Sequence, residues 1–246
     1  MIKKRLNQNE IEYIKSLIKS GSSLSKISKL TNRSKTTLYH HFRKIKGRTI
    51  NPIQVNHNNK EIIGEFIGLF AGDGCFYKTK DYHYRVYLYF NVTEINYVKD
   101  LIKNVLLSIF DKRPMIFKPE NRINLCYYSK NIYRLIKDYL EWNKNTRKTY
   151  SVRLKHRNHP KEFFIGFIRG SLDSDGYFSQ NKINFSTVSP GLMEDISYSL
   201  DKLKIKHSVK LYKEKRKNRK DIYYINISKR EHNKFINLVQ PRNKWD

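Results

Sequence analysis

Two stretches of the chain are versions of each other. Phe66 to Gly74 reads FIGLFAGDG and Ile168 to Gly176 reads IRGSLDSDG, and a single offset of 102 residues lays Gly64, Gly68 and Gly72 on Gly166, Gly170 and Ser174, and Asp73 on Asp175. Small residues four apart fall along one face of a helix. Two such faces can pack with their backbones unusually close, because no side chains hold them apart. The chain runs the same way along both helices, so close packing carries the two terminal aspartates to the same end of the pair. Two carboxylates are then expected to share a small space.

The rest of the composition supports a folded protein with a polyanionic partner. In 246 residues, 39% apolar and 13% aromatic content is enough for one large core or two to three modest ones. Fifty Lys and Arg against 22 Asp and Glu give a net charge of +28, and nucleic acid is the first partner this predicts. A membrane partner is not expected: the longest apolar stretch, Ile62 to Ala71, is interrupted by Glu65 and falls short of the roughly 20 residues a span requires. The N-terminus, MIKKRLNQNE, has no signal-peptide apolar core, so the expected location is intracellular, in a prokaryotic cytoplasm or an organelle matrix. Cys75 and Cys126 are too few for a disulfide framework or a zinc knuckle and are expected to be free thiols.

The first 46 residues read as three short helices. Ile11, Ile14, Leu17 and Ile18 form one apolar stripe, punctuated by Gly21 and Ser22; Leu24, Ile27 and Leu30 form a second. Ser34 is placed to cap a third helix with Leu38, Phe42 and Ile45 facing inward. Its outward face offers Lys35, Thr36, Thr37, His40, His41, Arg43 and Lys44, a basic, hydrogen-bonding surface suited to a DNA major groove. The stretch GSSLSKISKLTNRSKTTLYHHF resembles the helix-turn-helix of site-specific recombinases and small bacterial regulators. A three-helix bundle packing on the main body is the plainer alternative, and the charge of +12 over the first sixty residues argues against it. Residues 47–59 contain Gly47 and Pro52, lack periodicity and read as a linker.

From Lys60 the same order of elements occurs twice, over residues 60–158 and 159–246. In the first copy a strand from Tyr84 to Val92 alternates Val86, Leu88, Phe90 and Val92 inward with Arg85, Tyr87, Tyr89 and Asn91 outward. A helix through Val98, Leu101, Ile102, Val105 and Leu106 follows, then a hairpin ending near Tyr128 and a helix from about Asn131 to Tyr139. The second copy has a strand from Lys182 to Val188, a helix through Leu192, Ile196, Leu200 and Leu203, a hairpin from Val209 to Ile227 and a closing helix over Glu231 to Leu238. With a strand after each Asp-Gly, each copy is α-β-β-α-β-β-α. The fold class is α+β, two pseudo-symmetric repeats preceded by a small all-α domain.

FIGLFAGDG and IRGSLDSDG, in register and each followed by strands, resemble the paired signature of LAGLIDADG proteins, and the resemblance covers residues 60–246. It implies two signature helices at the core of a pseudo-twofold single chain, a basic saddle of antiparallel sheets over a long duplex DNA target, and a divalent cation, Mg²⁺ or Mn²⁺, held by Asp73 and Asp175. It further implies that Asn91, with Ser186 or Thr187 as its counterpart, holds water near each metal, and that Lys130 and Lys229, after the last strand of each copy, sit by the active centre. The sixth signature position is Asp173 in the second copy and Ala71 in the first; Asp173 is expected to cap or pack rather than bind metal.

The chemistry agrees with this. Hydrolysing a phosphodiester needs a nucleophile, charge neutralisation and a stabilised leaving group, which divalent cations supply, and hard oxygen ligands suit Mg²⁺. Both aspartates end helices, where the macrodipole favours cations. Base recognition is expected from Arg85, Tyr87, Tyr89, Lys182 and Asn184, and a phosphate clamp from the turn KEKRKNRKD, with Lys213, Lys215, Arg216, Lys217, Arg219 and Lys220. His156 and His159 in KHRNHP lack the spacing and context of an HNH nuclease and read as linker residues. The function expected is a monomeric homing endonuclease. An intron RNA maturase binding its own intron RNA and a non-catalytic DNA-binding regulator are alternatives on the same fold.

Overall fold

The computed structural model describes residues 6–46, 52–78, 84–217 and 219–242, and the chain divides into two compact units, Met1–Asn51 and Pro52–Asp246. Residues 47–51 of the expected linker lie outside the described residues.

The first unit is three helices, each started by a side-chain cap. Helix α1 (Gln8–Lys19) opens with a capping box, in which Glu10 N donates to Asn7 Oδ1 at 2.8 Å and Asn7 N donates back to Glu10 Oε2 at 3.0 Å. Helix α2 (Leu24–Thr31) is capped by Ser23 and stops at Asn32, whose φ of 50° leaves the helical region. Helix α3 (Lys35–Lys46) is capped by Ser34, whose Oγ accepts from Thr37 N at 3.3 Å. Ile14, Ile18, Ile27 and Leu38 are buried together, with Phe42 and Ile45 against them. An Arg33–Glu10 ion pair of 2.6 Å ties the turn before α3 to the start of α1.

In the second unit, α4 (Lys60–Asp73) leads into β1 (Gly74–Lys78) and β2 (Tyr84–Asn91). Helix α5 (Ile95–Leu101) then continues through a π-turn (Ile102–Leu106) into α6 (Leu107–Ile109), followed by β3 (Met115–Phe117), β4 (Arg122–Tyr128) and α7 (Lys130–Tyr139). The crossing to the second repeat carries a small sheet of β5 (Leu140–Glu141) and β6 (Arg153–Leu154) around the short α8 (Lys148–Ser151). The second repeat is α9 (Lys161–Asp175), β7 (Gly176–Ser179), β8 (Lys182–Thr187), α10 (Pro190–Lys202), β9 (His207–Tyr212), β10 (Ile222–Ile227) and α11 (His232–Val239). The two four-stranded antiparallel sheets have matching orders, β1-β2-β4-β3 and β7-β8-β10-β9. Each packs one face on the helices, and the buried side chains of both repeats form a single cluster.

Two expectations are corrected. Val92 does not continue the inward row of β2: Asn91 caps a 3-10 turn there, and Val92 is exposed. Part of the expected linker is docked on the second unit: Ile53 is buried, Val55 bridges Phe110, and Asn56 N donates to Ile109 O at 2.8 Å.

Helices α4 and α9 run parallel in direct backbone contact. A Cβ built on Gly64 would stand 2.1 Å from Phe163 O, and one on Gly68 would stand 2.2 Å from Phe167 O. From the other side, a Cβ on Gly166 would meet Glu61 O at 1.8 Å and one on Gly170 would meet Glu65 O at 2.0 Å. Each atom met is main chain and cannot swing aside. Charged side chains also cross the pair. Buried Arg169 of α9 binds Glu65 at 2.9 Å and Glu61 at 2.6 Å on α4, and its Nε donates to Val239 O at 2.6 Å. Arg242 also pairs with Glu65 and reaches Asp100 at 2.7 Å. A buried carboxylate is tolerated because two guanidinium groups neutralise it.

Gly170→Ala is expected to separate the helices and destabilise the protein by about 3 kcal/mol, the upper range for overpacking a filled core. Urea denaturation at unchanged midpoint would contradict backbone contact at this position.

Candidate active centre and nucleic-acid face

The parallel helices end together. Gly72 of α4 faces Ser174 and Asp175 of α9, and a Cβ on Gly72 would lie 2.4 Å from Ser174 Oγ and 2.8 Å from Asp175 Oδ2. The Asp175 carboxylate therefore stands against the residue that precedes Asp73. Both helices stop at these acids because the chain turns to extended backbone at Gly74 and Gly176, whose N–H groups close on Phe70 O and Leu172 O. Asp73 is half-buried and Asp175 is exposed. Two carboxylates and two negative helix ends make a site that demands positive charge. Among the described residues no group of three or more His, Cys, Asp or Glu is gathered. This donor set fits a hard divalent cation that completes its shell with water and phosphate oxygens, and it does not fit an all-protein cage.

The chain itself supplies a cation at this junction. Lys148, at the start of α8, donates from Nζ to the carbonyls of Phe70 (2.7 Å), Ala71 (2.6 Å) and Gly72 (3.0 Å), and so satisfies the open end of α4. Burial pulls its pKa down to about 8, against the opposing pull of Asp175, Cys75 and Asp73. Sequence reasoning missed this residue. The crossing segment has no periodicity, and one lysine among fifty basic residues carries no signal.

Around the acids, the sheet register sorts the other expected residues. Ser186 Oγ donates to Asp175 O at 3.3 Å, whereas Thr187 is buried and its Oγ1 accepts from Ser189 N. Ser186 is thus the residue beside the acid. Its pairing with Asn91 is corrected, because Gly74 stands opposite Leu88 and Gly176 opposite Phe185, which makes Tyr89 the counterpart of Ser186. Asn91 lies further along β2, with Oδ1 accepting from Thr93 N and Thr93 Oγ1 at 3.0 Å. Lys130 and Lys229 do occupy matched places, but the structure does not bring them to the acids. Strands β4 and β10 run antiparallel to β2 and β8, so residues that follow them emerge at the outer ends of the sheets. Lys130 Nζ lies 6.0 Å over the ring of Tyr84, the residue opposite Lys78 at the far end of β1 from Gly74. Lys229 is exposed beyond Ile227. Asp173 is fully buried and accepts from Tyr97 Oη at 2.9 Å, away from solvent chemistry.

The outer sheet faces carry Arg85, Tyr87 and Tyr89 on β2 and Lys182 on β8; Asn184 shares that face by register but is buried. Six residues line a hollow of about 320 Å³ on the second sheet: Lys182, Asn184, Ser208, Lys210, Tyr224 and Asn226. At the β9–β10 turn, Lys213, Lys215, Arg216, Lys217, Arg219 and Lys220 are exposed, but not all are unpartnered. Arg216 pairs with Glu214 at 2.5 Å and holds that carboxyl down to about 2, and Lys220 lies 6.0 Å over the Tyr150 ring. In the first unit, Lys35, Thr36, Thr37, His40, Arg43 and Lys44 are exposed on α3. His41 is half-buried, its pKa lowered by burial, by His40 and by nearby lysines. His156 and His159 are elsewhere: His159 stacks on Tyr139 and packs at a tilt against Phe163, and burial takes its pKa to about 4. No helix among the described residues is long and apolar enough to cross a membrane.

Comparison with known proteins gives the following. Residues 162–237 match the family model described as a LAGLIDADG-like domain, and residues 3–44 match that of the helix-turn-helix domain of resolvase. The uncharacterized protein MJ0398 of Methanocaldococcus jannaschii is 28% identical over 235 residues, covering 86% of this chain and 78% of its own. Among solved structures, a mesophilic variant of the homing endonuclease I-DmoI superposes with a TM-score of 0.57 at 23% identity, over 76% of this chain and 95% of that one. I-DmoI in complex with DNA and Ca superposes at 0.53 and 21% identity, over 76% and 93%. The complex with DNA and Mn superposes at 0.54 and 21%, over 76% and 99%. At these identities the likeness is one of fold.

Lys148 gives the junction a measurable signature. Its folded pKa of about 8 lies below the unfolded value of 10.5, so between these pH values the unfolded chain keeps a proton that the folded chain has released. Stability therefore rises with pH across that window, by up to about 3 kcal/mol relative to Lys148→Met. Urea denaturation of both proteins at either end of the window tests this, and parallel pH profiles would place the lysine outside the helix end.

Proposed function

We propose that this chain, which joins a LAGLIDADG-like domain and a resolvase-type helix-turn-helix domain on the fold of a homing endonuclease, is a site-specific endonuclease that cuts both strands of duplex DNA. The observation that carries the proposal is the junction of α4 and α9, where Asp175 stands against the residue preceding Asp73. A protein that only held DNA would have no use for two carboxylates gathered on a chain of net charge +28.

Asp73 and Asp175 would hold the divalent cation, Mg²⁺ or Mn²⁺. When bound, it would supply an activated water and neutralise charge on the phosphate oxygens. The chain's own contribution is positional. Backbone contact between α4 and α9 fixes where the acids emerge, and their helix ends reinforce cation binding. Ser186 fixes the Asp175 main chain through its carbonyl, and Lys148 fixes the last turn of α4. The outer faces of the two sheets would lie along the duplex, one repeat to each half of a long target, so a monomer would suffice. The three-helix unit would add a second reading head through Lys35, Thr36, Thr37, His40, Arg43 and Lys44 of α3. The structures of I-DmoI in complex with DNA and Ca, and with DNA and Mn, lend this support by analogy of fold.

The test is cleavage of a duplex made by joining the sequences that flank the coding frame in its genome, with Mg²⁺ present. Wild type is expected to cut both strands. Asp73→Asn and Asp175→Asn are each expected to lose at least about a hundredfold in rate while binding the duplex with similar affinity. Normal cutting by either variant would remove the acids from the chemistry. If wild type does not cut but supports intron splicing that survives the double substitution, the function is RNA maturation. Sequence-specific DNA binding with neither activity would make it a regulator.

A further inference from the structure

Superposing the two sheets by register exposes a chemical difference that their shared topology conceals. Because Gly74 opposite Leu88 corresponds to Gly176 opposite Phe185, every outer-face position of one sheet has a defined counterpart in the other. On the strand next to the centre, Tyr87 and Tyr89 correspond to Asn184 and Ser186. Across from them, Cys126 beside Tyr87 corresponds to Asn226 beside Asn184. On the edge strands, Met115 opposite Cys126 corresponds to Ser208 opposite Asn226, and Phe117 opposite Asn124 corresponds to Lys210 opposite Tyr224. Five of these six positions change from aromatic, thioether or thiol to amide, hydroxyl or ammonium, Cys126 among them being fully buried, and one, Asn124 to Tyr224, changes the other way. On the first strands Tyr77 to Ser179 follows the majority and Cys75 to Tyr177 runs against it.

We infer that the two sheets read DNA by different chemistry: the first by apolar contact with thymine methyl groups, the second by hydrogen bonds to purine edges, so that the target is chemically asymmetric about its centre. The inference rests on duplex DNA being the ligand, as proposed above, but not on its being cut.

The first outer face is dominated by aromatic rings. Tyr77 meets Tyr87 edge-on at 5.9 Å and Tyr87 stacks parallel on Tyr89 at 5.8 Å. Arg85 lies 5.4 Å over the ring of Tyr128. Met115 and Phe117 are 52% and 41% exposed, large apolar side chains left open on an edge strand. A contiguous exposed apolar patch marks a binding surface. In the major groove the apolar feature a protein can touch is the thymine C5-methyl. The second face, although it exposes Tyr177, is the more polar. Its hollow brings together two amides, two ammonium groups and two hydroxyls, the groups that pair with adenine N6 and N7 and with guanine O6 and N7.

The test begins by selecting, from randomised duplex DNA, the sequence that the full chain binds. Binding of the selected duplex is then compared, at one salt concentration, with versions in which thymine is replaced by uracil, or purines by their 7-deaza analogues, in one half at a time. Uracil is expected to weaken binding about fourfold per contacted methyl in one half and to leave the other unchanged. A 7-deazapurine is expected to weaken binding about tenfold in the opposite half only. Phe117→Ala should abolish the uracil effect without touching the deaza effect, and Asn226→Ala should do the reverse. The nucleotide analogues need no altered protein, so a variant that fails to fold leaves them decisive. Equal responses in both halves, or variants that act on the wrong half, would overturn the inference while leaving the nuclease proposal intact. If no sequence is selected, duplex DNA as the ligand fails, and both fall.

Discussion

Close approach of two helix backbones is the constraint from which the rest of this structure follows. Glycines at 64, 68, 166 and 170 remove the side chains that would keep α4 and α9 apart, and the main-chain atoms they admit leave no space for even one carbon. Helices at such short range are locked in rotation and in axial register, because any slide drives a carbonyl into a neighbouring turn. Locking the register is what makes the two C-terminal aspartates coincide. The acids are therefore placed by packing along the whole length of the helices. Sheets that begin directly after Asp73 and Asp175 inherit the same symmetry.

Strong charge on this protein is used in two distinct ways. Over the outer surface, excess Lys and Arg are solvated and available to a polyanion. Inside, charges are counted and paired. Glu65 is buried because Arg169 and Arg242 both reach it, and Asp173 is buried with a tyrosine hydroxyl on one oxygen. Lys148 belongs to neither class. It is inserted into the end of α4 from the segment that crosses to the second repeat, so among the described residues the junction is less symmetric than the duplicated sequence suggests. Divergence after duplication shows again in the outer sheet faces, where the strands kept their pairing and exchanged their chemistry.

Much of the fold was legible because it rests on local rules. Alternation in Tyr84–Asn91 and the stripes at Ile14, Ile18, Ile27 and Leu38 report which face is buried, and caps such as Ser34 mark where helices begin. What failed did so where locality fails. Val92 continues the alternation as a pattern, but a 3-10 turn capped by Asn91 takes it out of the strand. Alternation and the flanking valine match Asn91 to Ser186 or Thr187, whereas cross-strand register aligns Ser186 with Tyr89. Lys130 and Lys229 keep equal positions in sequence, and antiparallel pairing carries both to the outer ends of the sheets.

By itself the sequence determined the duplication, the helix pair with its small-residue faces, the two acids that end it and the basic character of the surface. These depend on residue type and spacing, which a linear pattern records. Tertiary structure alone decided which groups accompany the acids. Lys148 reaches α4 across more than seventy residues of chain, and Ser186 reaches Asp175 across a strand pair. Neither contact has a period or a motif, because it is made by the closing of the fold around the helices and not by the chain near either residue.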